Sequence, residues 1–250
     1  DENLSYTWVV TNWRVDGVLI YNVVYHEHVT RDVEDLKAQR VPFVFINKYL
    51  RERRVNTVSV DNFDAVDQAV RHLAGAGHRR IGIMNGGLLS VDGVERFQAF
   101  KAALKTAGLK FDERLVGNAN FSDTEAFEEM NRILRSRHPP TAMFCANDLM
   151  AIGALQVCKE RHMNIPDDIA IIGMDNSDLA AILGLSSIRM QEEEIGRQAA
   201  TMLMERILRK RQDKRTIRLL PELVLRASTG INVKNVTLLH PSLNHCANCC

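Results

Sequence analysis

The chain has 250 residues, of which 46% are hydrophobic and 25% charged, with a formal net charge of +1. That composition suits a globular protein of one large or two modest domains, and so small a net charge supplies no bulk attraction for nucleic acid or an anionic membrane. No run approaches the roughly 18 apolar residues that span a bilayer, and DENLSYTWVV lacks the basic-then-apolar order of an export signal, so a cytoplasmic protein is expected.

Residues 1–14 read as the end of a helix, with Trp8, Val9 and Trp13 on one face, ahead of a strand at 15–20 (VDGVLI). Doubly wound units open with a strand, so the chain is expected to begin part-way into its first unit. Thr30 fits the cap of a helix predicted through residue 39, with Val29, Val33 and Leu36 sharing a face. Strands follow at 43–46, ending at Asn47, and at 57–60, ending at Asp61 and Asn62. The next helix carries Phe63, Val66, Val70 and Leu73 on one face until Gly75 or Gly77 stops it. Strand 80–85 leads into the Gly86–Gly87 turn, and helix 94–107 carries Phe97, Phe100 and Leu104.

Ser122 and Glu125 (SDTE) have the spacing of a capping box and open a helix predicted over 123–137. Strand 141–146, helix 149–161 and strand 169–174 come next. A long helix over 191–211 ends in lysines and arginines that suit the negative end of its dipole, before short strands at 216–219 and 223–225 about Pro221. Cys145 and Cys158 fall inside apolar segments as small hydrophobes, the pattern of a reduced protein. Strands alternating with helices require parallel sheets covered on both faces. The strands are too many for one comfortable sheet, so two doubly wound lobes with a cleft between them are expected.

In such sheets ligands bind beyond the carboxyl ends of the strands. Two neighbouring ends carry polar groups: TAMFCAND delivers Asn147 and Asp148, and IPDDIAIIGMDNSD (Ile165–Asp178) delivers Asp175 and Asn176. A carboxylate accepts two hydroxyls and an amide both donates and accepts, which points to a small polar ligand. Each residue has a plainer alternative. Asp175 and Asn176 suit an Asx-turn closing the strand, and Asn147 or Asp148 suits the cap of the following helix. No GxGxxG follows a strand, and the sequence has no P-loop and no Gly-x-Ser-x-Gly elbow, so binding without catalysis, cofactor or metal is expected.

Taken together, VDGVLI, VPFVFIN, VSVDN, HLAGAGHRRIGIMNG, Ser90 leading to ERFQAF, TAMFCANDLMAIGALQ, IPDDIAIIGMDN, LSSIRMQEEEIGRQAA and LVLRAST resemble the effector-binding domain of the lactose/galactose-repressor family of bacterial transcription regulators. The resemblance covers roughly residues 14–230. It implies a fold like that of type I periplasmic sugar-binding proteins, with three crossovers near 76–79, 188–192 and 219–222. One lobe would comprise 1–78 with 190–219, lacking its first strand, helix and second strand. The other would comprise 79–189 with 220–230, leaving 231–250 as a disordered tail. The resemblance also implies a homodimeric, cytoplasmic repressor that senses a sugar-like effector and binds operator DNA through a helix-turn-helix not present in this chain, with no membrane partner. A periplasmic-type solute-binding protein is the alternative.

Residue by residue, the resemblance assigns Arg96 to ligand hydroxyls or carboxylates, although Ala99 stands where the family has glycine. A guanidinium offers fixed donors for such groups; a solvated arginine on an amphipathic helix is the plainer reading. It assigns Asp175 and Asn147 to the ligand as well, leaving Asp148 to the cap. Phe121 falls where the family sets an aromatic against the sugar; a core aromatic ahead of a helix is the alternative. Asn22, Asn47 and Asp64 occupy the corresponding strand-end loops of the first lobe, where such residues are common whatever the function. His78 reads as capping the carbonyls of the helix it follows. The thiols of Cys246, Cys249 and Cys250 with His245 are too compressed for a tetrahedral metal shell. The runs 51–54 and 209–215 read as solvated faces, having no interleaved aromatics.

Overall fold

The computed structural model describes residues 15–21, 27–47, 55–87, 90–211 and 213–230, with the backbone alone for 27–32. The expectations for 1–14, Asn22, 51–54 and the 231–250 tail lie outside the described residues.

Among the described residues the chain builds two sheets. Four parallel strands form the first, in the order β1 (Val18–Tyr21), β2 (Phe43–Ile46), β3 (Thr57–Val60) and β9 (Thr216–Leu219). The second has six, in the order β10 (Glu222–Val224), β8 (Ser186–Arg189), β7 (Ala170–Asp175), β6 (Ala142–Cys145), β4 (Ile81–Asn85) and β5 (Val116–Asn118). All neighbours in it are parallel except β10, which runs antiparallel to β8. This is the α/β, doubly wound arrangement that the alternation of elements demanded. Strands β4 and β6 are buried along their whole length, as continuous apolar runs covered on both faces should be.

The helices are α1 (Glu27–Ala38), α2 (Asn62–Gly75), α3 (Val91–Thr106), α4 (Asp123–Leu134), α5 (Asp148–Glu160), the single turn α6 (Asp178–Ile182) and α7 (Glu192–Ile207). Helix α7 packs on the first sheet, whereas α2 packs against α3 and reaches β6 and β10 of the second. Helix α2, opened by the cap Asp61, therefore bridges the two sheets. Gln68 of α2 ties down the last passage, from β9 to β10. Its amide donates to Pro221 O and to Asp64 Oδ2, and its carbonyl accepts from Leu223 N.

One large core joins the two sheets, and a smaller one (Ile20, Val33, Leu36, Phe43, Phe45, Val55) lies under α1. Gly153 lets α4 and α5 approach closely: a Cβ there would sit 2.2 Å from Asp123 O.

Several element ends differ from expectation for local reasons. Helix α1 starts at Glu27, so Thr30 lies inside it and is not its cap. Helix α3 starts at Val91 because Ser90 caps it, its hydroxyl accepting from Gly93 N. At α4, Ser122 accepts from Glu125 N, yet Glu125 reaches Asn120 Nδ2 and not the Ser122 N–H, which already donates to Ala119 O. The capping box is therefore half made. Helix α7 stops at Ile207, the chain turning left-handed at Arg209 (φ 55°). The sequence predicts no element at β5, α6 or β8, and β8 is the best hidden of them. Its buried Ser186 and Ser187 look like loop residues, but their hydroxyls bond Thr229 and Asp148.

Candidate functional site

A cleft of about 400 Å³ opens where the carboxyl ends of both sheets meet. Tyr21 and Asn47 reach it from β1 and β2, and Ser90, Asp92 and Arg96 from the start of α3. Phe121, Asn147 and Asp175 line it from the second sheet's ends, and Met190 and Glu192 from the β8–α7 link. The backbone is strained here. Non-glycine residues with positive φ include Asn47 (53°), Phe121 (63°) and Asp175 (111°), with Asn120, Asn176 and Gln191 beside them. Such conformations cost about 1–3 kcal/mol each and persist only where the surroundings impose them.

Arg96 is buried, at 6% exposure, and not solvated. Its Nε donates to Asn62 Oδ1 (3.0 Å) and its Nη1 to Ala146 O. Asn62 is itself held, its Nδ2 donating to Asp92 Oδ1 (3.0 Å) and Glu95 Oε2 (2.9 Å). The guanidinium is thus fixed before any ligand arrives, with no partner for its Nη2 among the described residues.

Asp175 ends β7 with its carboxyl pKa pushed up to about 7. Burial is the largest cause; Arg96 opposes it, and repulsion from Asp148 and Glu192 adds to it. Asp148 lies behind it at 2% exposure, one oxygen accepting from Ser187 Oγ (2.6 Å), the other from Ser177 N (2.7 Å) and Ser177 Oγ (2.9 Å). Gly173 makes this possible, since a Cβ there would lie 2.2 Å from Asp148 Oδ1.

Asn147 is the cap of α5, its Oδ1 accepting from Met150 N (2.8 Å), while it also lines the cleft. The cap assignment of Asp148 is therefore corrected: the buried carboxylate braces β7 and β8 instead. Phe121 lays its ring on Gly86, where a Cβ would lie 2.0 Å from the ring. Asn176 is turned away, its Oδ1 accepting from Arg226 Nη2 (2.6 Å) and its N–H donating to Ser187 Oγ.

The structure therefore gathers Arg96, Phe121, Asn147, Asp175 and Asn47 at one cleft. Asp64 is not among them. It sits in the first turn of α2 with its carboxylate taken by Gln68, one turn on, and so serves the β9–β10 passage. Asn22 lies outside the described residues. His78 is also corrected: its backbone N–H bonds Leu73 O and its ring bonds Thr141 Oγ1, while Arg79 Nη1 supplies the side-chain donor to Ala74 O.

Sequence reasoning missed Tyr21, Ser90, Asp92, Met190 and Glu192. For Asp92 a signal existed, because it lies four residues before Arg96 and so shares its helix face. The groups assembled are hydrogen-bond donors and acceptors beside the aromatic rings of Tyr21 and Phe121. Cys145 and Cys158 are buried away from them, desolvation raising the Cys158 thiol to about 11 and Cys145 further.

A family model described as a periplasmic binding protein-like domain matches residues 70–229. The HTH-type transcriptional repressor PurR of Yersinia enterocolitica is 34% identical over 233 residues, covering 92% of this chain and 68% of that protein. A solved regulatory protein of the LacI family from Chloroflexus aggregans superposes with a TM-score of 0.82 at 30% identity, over 89% of this chain and 80% of the other. The chain belongs to the lactose/galactose-repressor family. A second neighbour, a complex of the transcriptional regulator CelR with cellobiose, has the same TM-score and identity and covers 89% of this chain and 68% of the other. The chain spans about two thirds of the length of the curated repressors it matches. Within this family fold, the cleft at the strand ends is built from both sheets. No helix among the described residues is long and apolar enough to cross a membrane.

Proposed function

We propose that this chain is the effector-sensing and dimerisation part of a cytoplasmic transcriptional repressor, and that it acts by binding and not by turnover. The observation that carries this is the cleft itself. Arg96 and Asp175, fixed on the second sheet, face Tyr21 and Asn47 on the first, so one ligand can touch both. A ligand shifts an equilibrium between arrangements only as far as it binds one better than the other, and a bridging ligand does that by favouring the closed one. In a homodimer whose helix-turn-helix segments bind operator DNA, the change would reach the DNA as altered affinity.

The effector in this reading is a sugar or sugar-like molecule. Arg96, Asp175, Asn147 and Asn47 supply hydrogen bonds, and Phe121 supplies an apolar face. The cellobiose named for CelR, and the ribose named for a related Enterococcus faecium regulator, support that class. The two lobes are those expected above, 1–78 with 190–219 and 79–189 with 220–230, with α2 bridging them. Thermal-shift screening of sugars, sugar phosphates and nucleobases tests the reading. A ligand is expected to stabilise the wild type and to lose its effect in Arg96→Ala and Asp175→Ala. Full retention of binding in both variants would refute the site.

A further inference from the structure

The cleft has an uneven charge balance. Among the described residues, Asp92, Asp175 and Glu192 line it against one cation, Arg96. Arg96 is largely occupied, with Nε on Asn62 and Nη1 on Ala146 O. Behind the lining stand two further carboxylates, Asp148 and Glu95, the second held by Asn62. Three described cations nearby are turned to other tasks. Arg189 pairs with Glu222, Arg197 with Glu194, and Arg226 donates to Leu185 O and Asn176. The amino end of α7 would ordinarily welcome an anion, but Glu192, Glu193 and Glu194 already stand there. Among the described residues the side chains of Asp175 and Glu192 have no side-chain hydrogen-bond donor. The unmet demand of the cleft is therefore for donors and positive charge.

We propose that Glu192, with Asp92, is a charge filter at this cleft. It admits a polyhydroxylated ligand bearing a protonated amine or no charge, and it excludes the phosphorylated or carboxylated form of the same ligand. The inference rests on the sensing role proposed above and adds the ligand's charge class to it. The physical cause is repulsion in a partly desolvated cleft, where charges a few ångströms apart interact several times more strongly than in water. Above pH 7, where Asp175 is ionised as well, a phosphate would meet the carboxylates of Asp92, Asp175 and Glu192 and one guanidinium among the described residues.

The test is a matched series of D-glucose, D-glucosamine and D-glucose 6-phosphate, titrated at pH 8 and low ionic strength into the full chain and into Glu192→Gln, an isosteric change at an exposed position. In the wild type, glucosamine is expected to bind at least as tightly as glucose, and the phosphate ester roughly tenfold or more weakly than glucose. In Glu192→Gln the penalty on the ester shrinks severalfold, and the gap between glucose and glucosamine narrows. Tighter binding of the ester than of the parent sugar, an equal response to all three, or the same ranking and ratios in Glu192→Gln would overturn the filter. The first and last of those outcomes leave the sensing role standing. That role falls separately, if Arg96→Ala and Asp175→Ala bind as the wild type does.

Discussion

Asp175 stands at a strand end in a left-handed conformation, with burial holding its carboxyl up to about 7. An ordinary aspartate titrates near 3.8. Between those values the folded protein holds a proton that the unfolded chain has released. Stability therefore falls as pH rises from about 4 to 7 and is level above that, as far as this residue is concerned. Asp175→Asn removes the charge and keeps the shape. Thermal melts should show the variant more stable than the wild type at pH 8, with the difference shrinking towards pH 5. Equal differences at both values would mean the carboxyl is ionised across the whole range. Arg96 and Asn147 show how a residue can be legible in type and hidden in role. The motifs singled out both positions, but neither the Asn62 brace of Arg96 nor the double task of Asn147 as cap and lining group follows from spacing.

At the scale of elements, glycine decides how close two helices come. Helices α4 and α5 meet where Gly153 faces the backbone carbonyl of Asp123, and a main-chain atom cannot swing aside as a side chain can. Gly153→Ala should destabilise the protein by about 1–3 kcal/mol, read as a lower denaturant midpoint at unchanged slope. A midpoint equal to that of the wild type would show that the helices can slide apart without cost. Elements whose burial pattern repeats along the chain were readable, such as the apolar run of β7 or the face of α2 carrying Val66, Val70 and Leu73. Strand β8 was not, because its two serines become strand residues only through partners far away in sequence, Asp148 and Thr229.

At the scale of the whole molecule, a ligand that spans the cleft must draw on the first sheet as well as the second. Asn47 is the test of that. Replacing it with glycine suits its positive φ and removes only the side chain. Asn47→Gly is expected to weaken effector binding by roughly 2–10-fold, the worth of about one hydrogen bond. Unchanged affinity would place the ligand on the second sheet alone and leave it no grip on the first. With a ligand at about 100 times its dissociation constant, the wild type should gain about 2.7 kcal/mol of stability by mass action. A smaller gain at that excess would indicate that the unfolded chain binds too.

By itself the sequence determined the fold class, the alternation of the main strands and helices, and the two polar strand ends at Asn147 and Asp175. Hydrophobic period and strand-end chemistry are local properties that neighbouring residues carry. Only the tertiary structure decided which polar groups meet. It brought Tyr21 and Asn47 across to face Arg96, removed Asp64 to the β9–β10 passage, and set Glu192 beside Asp175. Those distances depend on how two sheets close on one another, and a carboxylate's charge depends on burial and on neighbours that lie far away along the chain.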